Sequence, residues 1–293
     1  MQLSLPLEAD PRLSRIRERL IVIHGPQYDQ RRHDPTTQFV KAMISACTRD
    51  AVSDESFLQL CILLPSWEVL PDADLATVAA TIRDVTYATE KAVHLVTAAR
   101  IIQAQRGRFD LAFLAEWPVD AALSWLQRLP GVGPKVAAVT LNFSTLRKRA
   151  LVVDRHVLRL SKRLNLLPAT ADFESGFRRL MRLMPIDWDA DDLYELHWLM
   201  KMHGQTTCRH RWPACGECPL AQCCATAAAS VLANRTAYLN IKPISCDFEP
   251  SLWHHNTEIG NRRSETGARN PPGGAENSEN CTSETAWIRA NRR

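Results

Sequence analysis

The chain has 293 residues, 45% of them hydrophobic and 23% charged, with a formal net charge of +4. That length and apolar content suffice for two modest domains with buried cores. The small charge excludes a protein that grips an acidic partner by bulk charge alone, so any such contact must come from local patches.

Helical periodicity governs most of the chain, and no run of alternating apolar residues argues for a sheet. Residues 11–23 place Leu13, Ile16, Leu20 and Ile23 on one face. Helices over 37–47 and 54–64 follow, the second with Asp54 as its expected N-cap. The stretch 89–106 opens on Thr89 as cap and carries Val93, Val96 and Ile101 on a stripe. Further helices are expected over 119–128, 134–146, 155–164, 173–184 and 191–203, joined by short loops rich in Pro, Asp and Gly. Residues 226–293 are read as a disordered tail, because from about residue 240 the composition turns polar and offers little to bury. No apolar run approaches the roughly 18 residues of a membrane span. The start, MQLSLPLEADPR, lacks a basic region followed by a long apolar stretch, so no cleaved leader is expected and the chain is read as cytoplasmic.

Five of the nine cysteines crowd together: Cys208, Cys215, Cys218, Cys223 and Cys224. A secreted disulfide framework would spread its cysteines through a small loop-rich domain, whereas a tight cluster in a large helical chain points to a metal or cluster site. Cys208, Cys215, Cys218 and Cys224 form C-x6-C-x2-C-x5-C, a spacing with which four thiolates can wrap one soft-metal centre. Zinc is the plain alternative, although zinc modules usually pair their cysteines twice and here only one pair is close.

Three stretches carry a more specific message in combination: LPGVGPKVA (129–137), VVDRHVLRL (152–160) and ELHWLMKMHGQTTC (195–208), the last leading into the cysteines. Together they resemble endonuclease III and its relatives in the helix-hairpin-helix DNA glycosylase superfamily, over roughly residues 28–224. The resemblance implies an all-α fold of two helical domains with a DNA-binding groove between them, and a [4Fe-4S] cluster on the four spaced cysteines. One domain would span 28–147 with the hairpin; residues 1–27 plus 148–225 would form the cluster domain.

Within that frame LPGVG is a grip for a phosphate. Gly131 and Gly133 can take positive φ and carry no side chain, so the backbone of residues 129–133 (Leu129, Gly131, Val132, Gly133) can approach an anion closely. Pro134 suits the first position of the next helix, whose N-terminus adds positive potential. Such a grip positions DNA without reading bases; taken alone, the same glycines describe an ordinary turn.

Lys135 is either a solvated lysine on a phosphate or, as the resemblance implies, the amine that attacks the sugar C1′ and goes on to a Schiff base. Asp154 is both a good N-cap for the helix that follows and, by resemblance, the carboxylate that stabilises charge developing on the sugar. His156 is given an auxiliary role beside Arg155. Arg209, His210 and Arg211 form a basic loop suited to phosphates. Where the family carries Gln or Asn to fill the gap left by a flipped base, this chain has Cys47, and its glycine in the next DNA-facing loop is replaced by Thr86. Tyr87 is read equally as an intercalating wedge and as a half-buried aromatic.

The implied function is base-excision glycosylase with abasic-site lyase activity, acting as a monomer on double-stranded DNA with oxidised pyrimidines or abasic sites and binding no membrane. An adenine mismatch glycosylase fits poorly, because its catalytic glutamate would fall near Ala42 and it lacks the lysine at 135. The rival from another class is a non-catalytic or redox-sensing DNA-binding module that uses hairpin and cluster alone.

Overall fold

The computed structural model of the chain describes residues 9–28 and 32–228. Among these, every regular element is helical: α1 (Arg12–His24), α2 (Pro35–Ser45), α3 (Asp50–Leu63), α4 (Leu75–Thr81), α5 (Ala88–Arg106), α6 (Val119–Leu126), α7 (Pro134–Asn142), α8 (Arg155–Arg163), α9 (Phe173–Leu183) and α10 (Ala190–Thr206), with 3-10 turns at Trp67–Asp72, Ala112–Glu116, Cys215–Glu217 and Ala221–Cys223. The all-α expectation holds. No helix is long and apolar enough to cross a membrane among the described residues.

Aspartates set many of the starts. Asp34, Asp74, Asp154, Asp172 and Asp189 precede α2, α4, α8, α9 and α10, and each side chain accepts an N–H of the first turn that the helix cannot satisfy itself. Around α7 the helices α2 and α6 pack, and α5 lies against α2 and α4. Phe39, Leu60, Leu95, Ile102 and Leu126 are fully buried there. A second core gathers Leu13, Ile16 and Leu20 of α1 with Val157 and Leu160 of α8, Leu180 of α9 and Leu196 of α10. α1 thus closes a core whose other helices lie far along the chain, from α8 onward.

Asn142, at the end of α7, joins the two groups of helices. Its buried side chain donates from Nδ2 to the carbonyls of Lys148 and Ala190, each at 2.9 Å. Arg32 reaches the same place, donating to Asn142 O at 2.5 Å, pairing with Asp191 and lying over the Tyr194 ring at 4.8 Å.

The structure departs from the sequence expectations at helix starts. α3 begins at Asp50 after Arg49, and Asp54 sits inside it, 3.7 Å from Lys41. The acidic Asp50 in the first turn suits the helix dipole, which lets the helix start earlier than a capping side chain would indicate. α5 begins at Ala88, with Tyr87 in the left-handed region before it and Thr89 inside. Ile23 and Val93 are 57% and 42% exposed, so both lie at the margins of their apolar stripes. α4 and the turns at Trp67–Asp72 and Ala112–Glu116 were not expected, being too short to show a period and, in the first turn, interrupted by Pro71. Residues 225–228 are helical and Ala227 is buried, so the ordered chain extends past the expected start of the tail at 226; the rest of that expectation lies outside the described residues.

Replacing Asn142 with Ala strands two main-chain carbonyls at this junction. Equilibrium unfolding in urea is expected to show a loss of about 2 kcal/mol, the cost of unpaired buried polar groups.

Candidate active site and cysteine loop

The turn between α6 and α7 is built from LPGVGP. Gly131 has φ +76°, and a Cβ there would meet Cβ of His94 at 2.8 Å, so both conformation and space demand glycine. Gly133 differs from expectation: its φ is −89° and ψ −179°, an extended geometry open to any residue. As the N-cap of α7 it contributes the lack of a side chain, and nothing lies within 4 Å of where its Cβ would be. Leu129 and Val132 are buried, so their side chains anchor the turn and only main chain is left for a ligand. Pro134 occupies the first turn of α7 as expected.

Lys135 follows directly. Burial lowers its pKa; Asp154 opposes that shift, Lys201 adds to it, and Asp50 and Cys47 oppose it. Asp154 is buried at the head of α8, and its Oδ1 accepts the N–H groups of His156 and Val157, both at 2.8 Å. Burial works against its charge, but His197, the Val157 N–H, His156 and Lys135 outweigh it and hold the carboxyl below the usual range. The capping role expected of Asp154 is seen in these two bonds, and its carboxyl lies within electrostatic reach of Lys135. Buried His197 is pushed down to about 4 by desolvation. It is neutral near pH 7, and because its Nδ1 lies 2.8 Å from the carbonyl of Val152, that nitrogen carries the proton. Lys201 of α10 pairs with Asp50 of α3 at 3.0 Å and sits 4.5 Å from the Trp198 ring centroid.

Of the other expected contacts, Cys47 and Tyr87 are exposed and both left-handed, with φ 58° and 62°. His156 turns inward: a Cβ on Gly204 would meet its Cβ at 2.8 Å, and its Nδ1 lies 3.1 Å from Arg159. Its place is in the packing of α8 on α10, made possible by the missing side chain at 204. Arg209, His210 and Arg211 are exposed, as expected of a basic loop. Two arginines of α8 brace that loop. Arg159 donates to Cys208 O at 3.0 Å and Gly204 O at 2.8 Å, while Arg163 donates to Arg209 O at 2.7 Å and His210 O at 2.9 Å.

Cys208, Cys215, Cys218 and Cys224 all line one pocket, bounded otherwise mainly by apolar residues including Leu160, Leu164, Leu220 and Ala227. Cys223 is not part of that lining; its Sγ turns to Leu220 O at 3.4 Å. No three His, Cys, Asp or Glu side chains converge as a single-ion site would require, among the described residues. A tetrahedral zinc needs its sulfurs about 2.3 Å from one point. The four thiols are soft donors around one pocket, a donor set that fits a soft-metal group. Burial pushes the Cys218 thiol up to about 11, a cost to the thiolate that bound metal would offset.

Three residues around Lys135 escaped the sequence reading: Asp50, His197 and Lys201. The only local hint is a polar residue inside apolar text, as with Lys201 between Met200 and Met202 or His197 between Leu196 and Trp198.

A family model for the HhH-GPD superfamily of base excision DNA repair proteins matches residues 40–185. Endonuclease III of Synechocystis is 39% identical over 113 residues, covering 38% of this chain and 49% of that protein. Endonuclease III of Escherichia coli is 26% identical over 190 residues, covering 65% of this chain and 83% of that one. The alignments with the first of the curated relatives span about half to three-fifths of those proteins' lengths. Among solved structures, an endonuclease III trapped in a covalent intermediate with DNA superposes with a TM-score of 0.62 at 21% identity, over 75% of this chain and 97% of that one, a likeness of fold. With that family match, its hairpin and its all-helical architecture, the chain belongs to the HhH-GPD superfamily of base excision DNA repair proteins, and within it the chain is similar to endonuclease III.

The charges around Lys135 make opposite demands on its pKa. Lys201→Met removes a neighbouring cation and is expected to raise it; Asp154→Asn removes the opposing anion and is expected to lower it, while Asn preserves the cap. The pH titration of the dimethylated Lys135 amine by NMR reads both shifts, and shifts of the same sign would refute the arrangement.

Proposed function

We infer that the chain is a DNA glycosylase with abasic-site lyase activity. The observation that carries this is a half-buried lysine with a depressed pKa, set directly after a hairpin open for a phosphate and facing a buried carboxylate that stays ionised. An amine acts as nucleophile only when unprotonated, and desolvation favours that form. Lys135 Nζ would attack C1′ of an extruded nucleotide as the glycosidic bond breaks and the base departs with the bonding electrons. Loss of the amine proton and opening of the sugar leave a Schiff base; removal of a C2′ proton then expels the 3′ phosphate. Asp154, ionised and fixed by two N–H donors, would stabilise the positive charge on the sugar and accept protons.

The helices of 28–147 and those of 1–27 with 148–225 would form the two walls of the DNA groove, engaged by one monomer. The turn at 129–133, the tips at Cys47 and Tyr87, and the exposed Arg209 and Arg211 would meet the duplex, with phosphates taken up by N–H groups and arginines. His156 contributes by fixing α8 against α10. Cys208, Cys215, Cys218 and Cys224 would hold a [4Fe-4S] cluster, whose service is to hold the basic loop rigid. The substrate class proposed is duplex DNA with an oxidised pyrimidine or an abasic site. Cys47 is short and a weak hydrogen-bonding group, which favours lesions that flip easily and weakens discrimination of the opposing base.

Borohydride reduction on duplex DNA with an abasic site is expected to trap a covalent adduct with the wild-type chain and none with Lys135→Ala, which still binds the DNA. Binding without any adduct in the wild type would leave a non-catalytic DNA-binding protein. Iron analysis of anaerobically purified protein is expected to give about four irons per chain. Cys224→Ser should lose the iron and Cys223→Ser retain it; stoichiometric zinc in place of iron overturns the assignment.

A further inference from the structure

Two exposed loop residues are each held in a conformation that side chains rarely adopt. Cys47 has φ 58° and Tyr87 φ 62°, with Tyr87 67% exposed. A left-handed residue other than glycine costs on the order of 1–3 kcal/mol and persists only where its surroundings impose it.

Lys91, on the first turn of α5, imposes it. Its side chain is buried, and the ammonium spends its three protons on one loop: Ile44 O at 2.8 Å, Thr48 Oγ1 at 3.1 Å, and Ala46 O. These acceptors bracket Cys47 on both sides. The Thr48 hydroxyl completes the link. It donates to Ala46 O at 3.3 Å and accepts from Lys91 and from the main-chain N–H of Thr86 at 3.2 Å, so its proton and both lone pairs are in use. The residue before Tyr87 is therefore fastened to the residue after Cys47, through a hydroxyl that a lysine holds in place.

We propose that Lys91 and Thr48 form a strap that locks the Cys47 and Tyr87 tips into one rigid two-pronged unit for duplex DNA, Lys91 being a positioning residue that acts through those tips. The inference rests on the lyase function proposed above for its consequence in catalysis, and on the hydrogen bonds alone for its consequence in the free protein. A nucleotide leaving a duplex opens a gap whose two sides must be held at a set separation. Prongs fixed in advance avoid the ordering cost that two independent loops would incur on binding. An abasic site in single-stranded DNA is already extruded and does not need the prongs.

The test uses full-length Thr48→Val, which keeps the shape of the side chain while removing all three hydrogen bonds, with Thr48→Ser as the rescue and Lys91→Met as a stronger variant for the exchange measurement alone, since Lys91 lies within electrostatic reach of Lys135. In the DNA-free protein, amide hydrogen exchange is expected to quicken in residues 45–49 and 86–88 together, by about tenfold, with α7 and the cysteine loop unchanged. In borohydride trapping, adduct formation on an abasic duplex is expected to weaken about tenfold in apparent affinity, while an abasic single strand reacts as with wild type. Thr48→Ser should restore both. Should Lys91→Met fail to fold, Thr48→Val carries the test. Unchanged exchange in either loop, or equal losses on duplex and single strand, overturns the strap. A wild-type protein that traps no abasic DNA refutes the lyase function instead, and the exchange data then decide the strap by themselves.

Discussion

Much of the molecule is arranged around a single carboxylate. Asp154 starts α8 by accepting the N–H groups of His156 and Val157, and it does so from a buried position next to Lys135 and His197. A buried anion is tolerable only when fully bonded and faced by positive charge; the helix N-terminus, the neighbouring cation and the two N–H donors meet that condition together. Because α8 starts there, its later turns fall where Arg159 and Arg163 can hold the loop after Cys208. One short helix thus connects the candidate chemical centre to the candidate cluster loop.

The surroundings of Lys135 are defined by their balance of charge. Lys135 has a carboxylate at 154, an ammonium at 201 and a second carboxylate at 50 around it. The Lys201–Asp50 pair joins α10 to the start of α3, so the electrostatics that tune the lysine also tie together the helices that flank it. Neutral His197, bonded to Val152 O, lies near these charges without adding to them.

The hairpin illustrates how a motif divides its labour. Its apolar residues, Leu129 and Val132, are spent on the core. Gly131 is required by backbone conformation and by His94. Gly133 is required by neither, and its value lies in the bare helix N-terminus it leaves behind. A pattern of letters treats the two glycines alike, whereas their dihedral angles separate them.

Sequence by itself determined the helical class, most helix positions and the hairpin, and it singled out Lys135, Asp154 and the four spaced cysteines as candidates. These are local: helical period, capping chemistry and ligand spacing act over a few residues, so they are written in contiguous text. It misplaced the starts of α3 and α5, where a dipole-favoured Asp50 and a left-handed Tyr87 replaced the expected caps. Only the tertiary structure decided that Asp50 meets Lys201 across 151 residues, that Lys91 holds the loop around Cys47 from 43 to 47 residues away, and that His156 turns toward Gly204. Those choices depend on which helices pack together, and the energy of a buried charge is fixed by what surrounds it in space, which no single stretch of sequence contains.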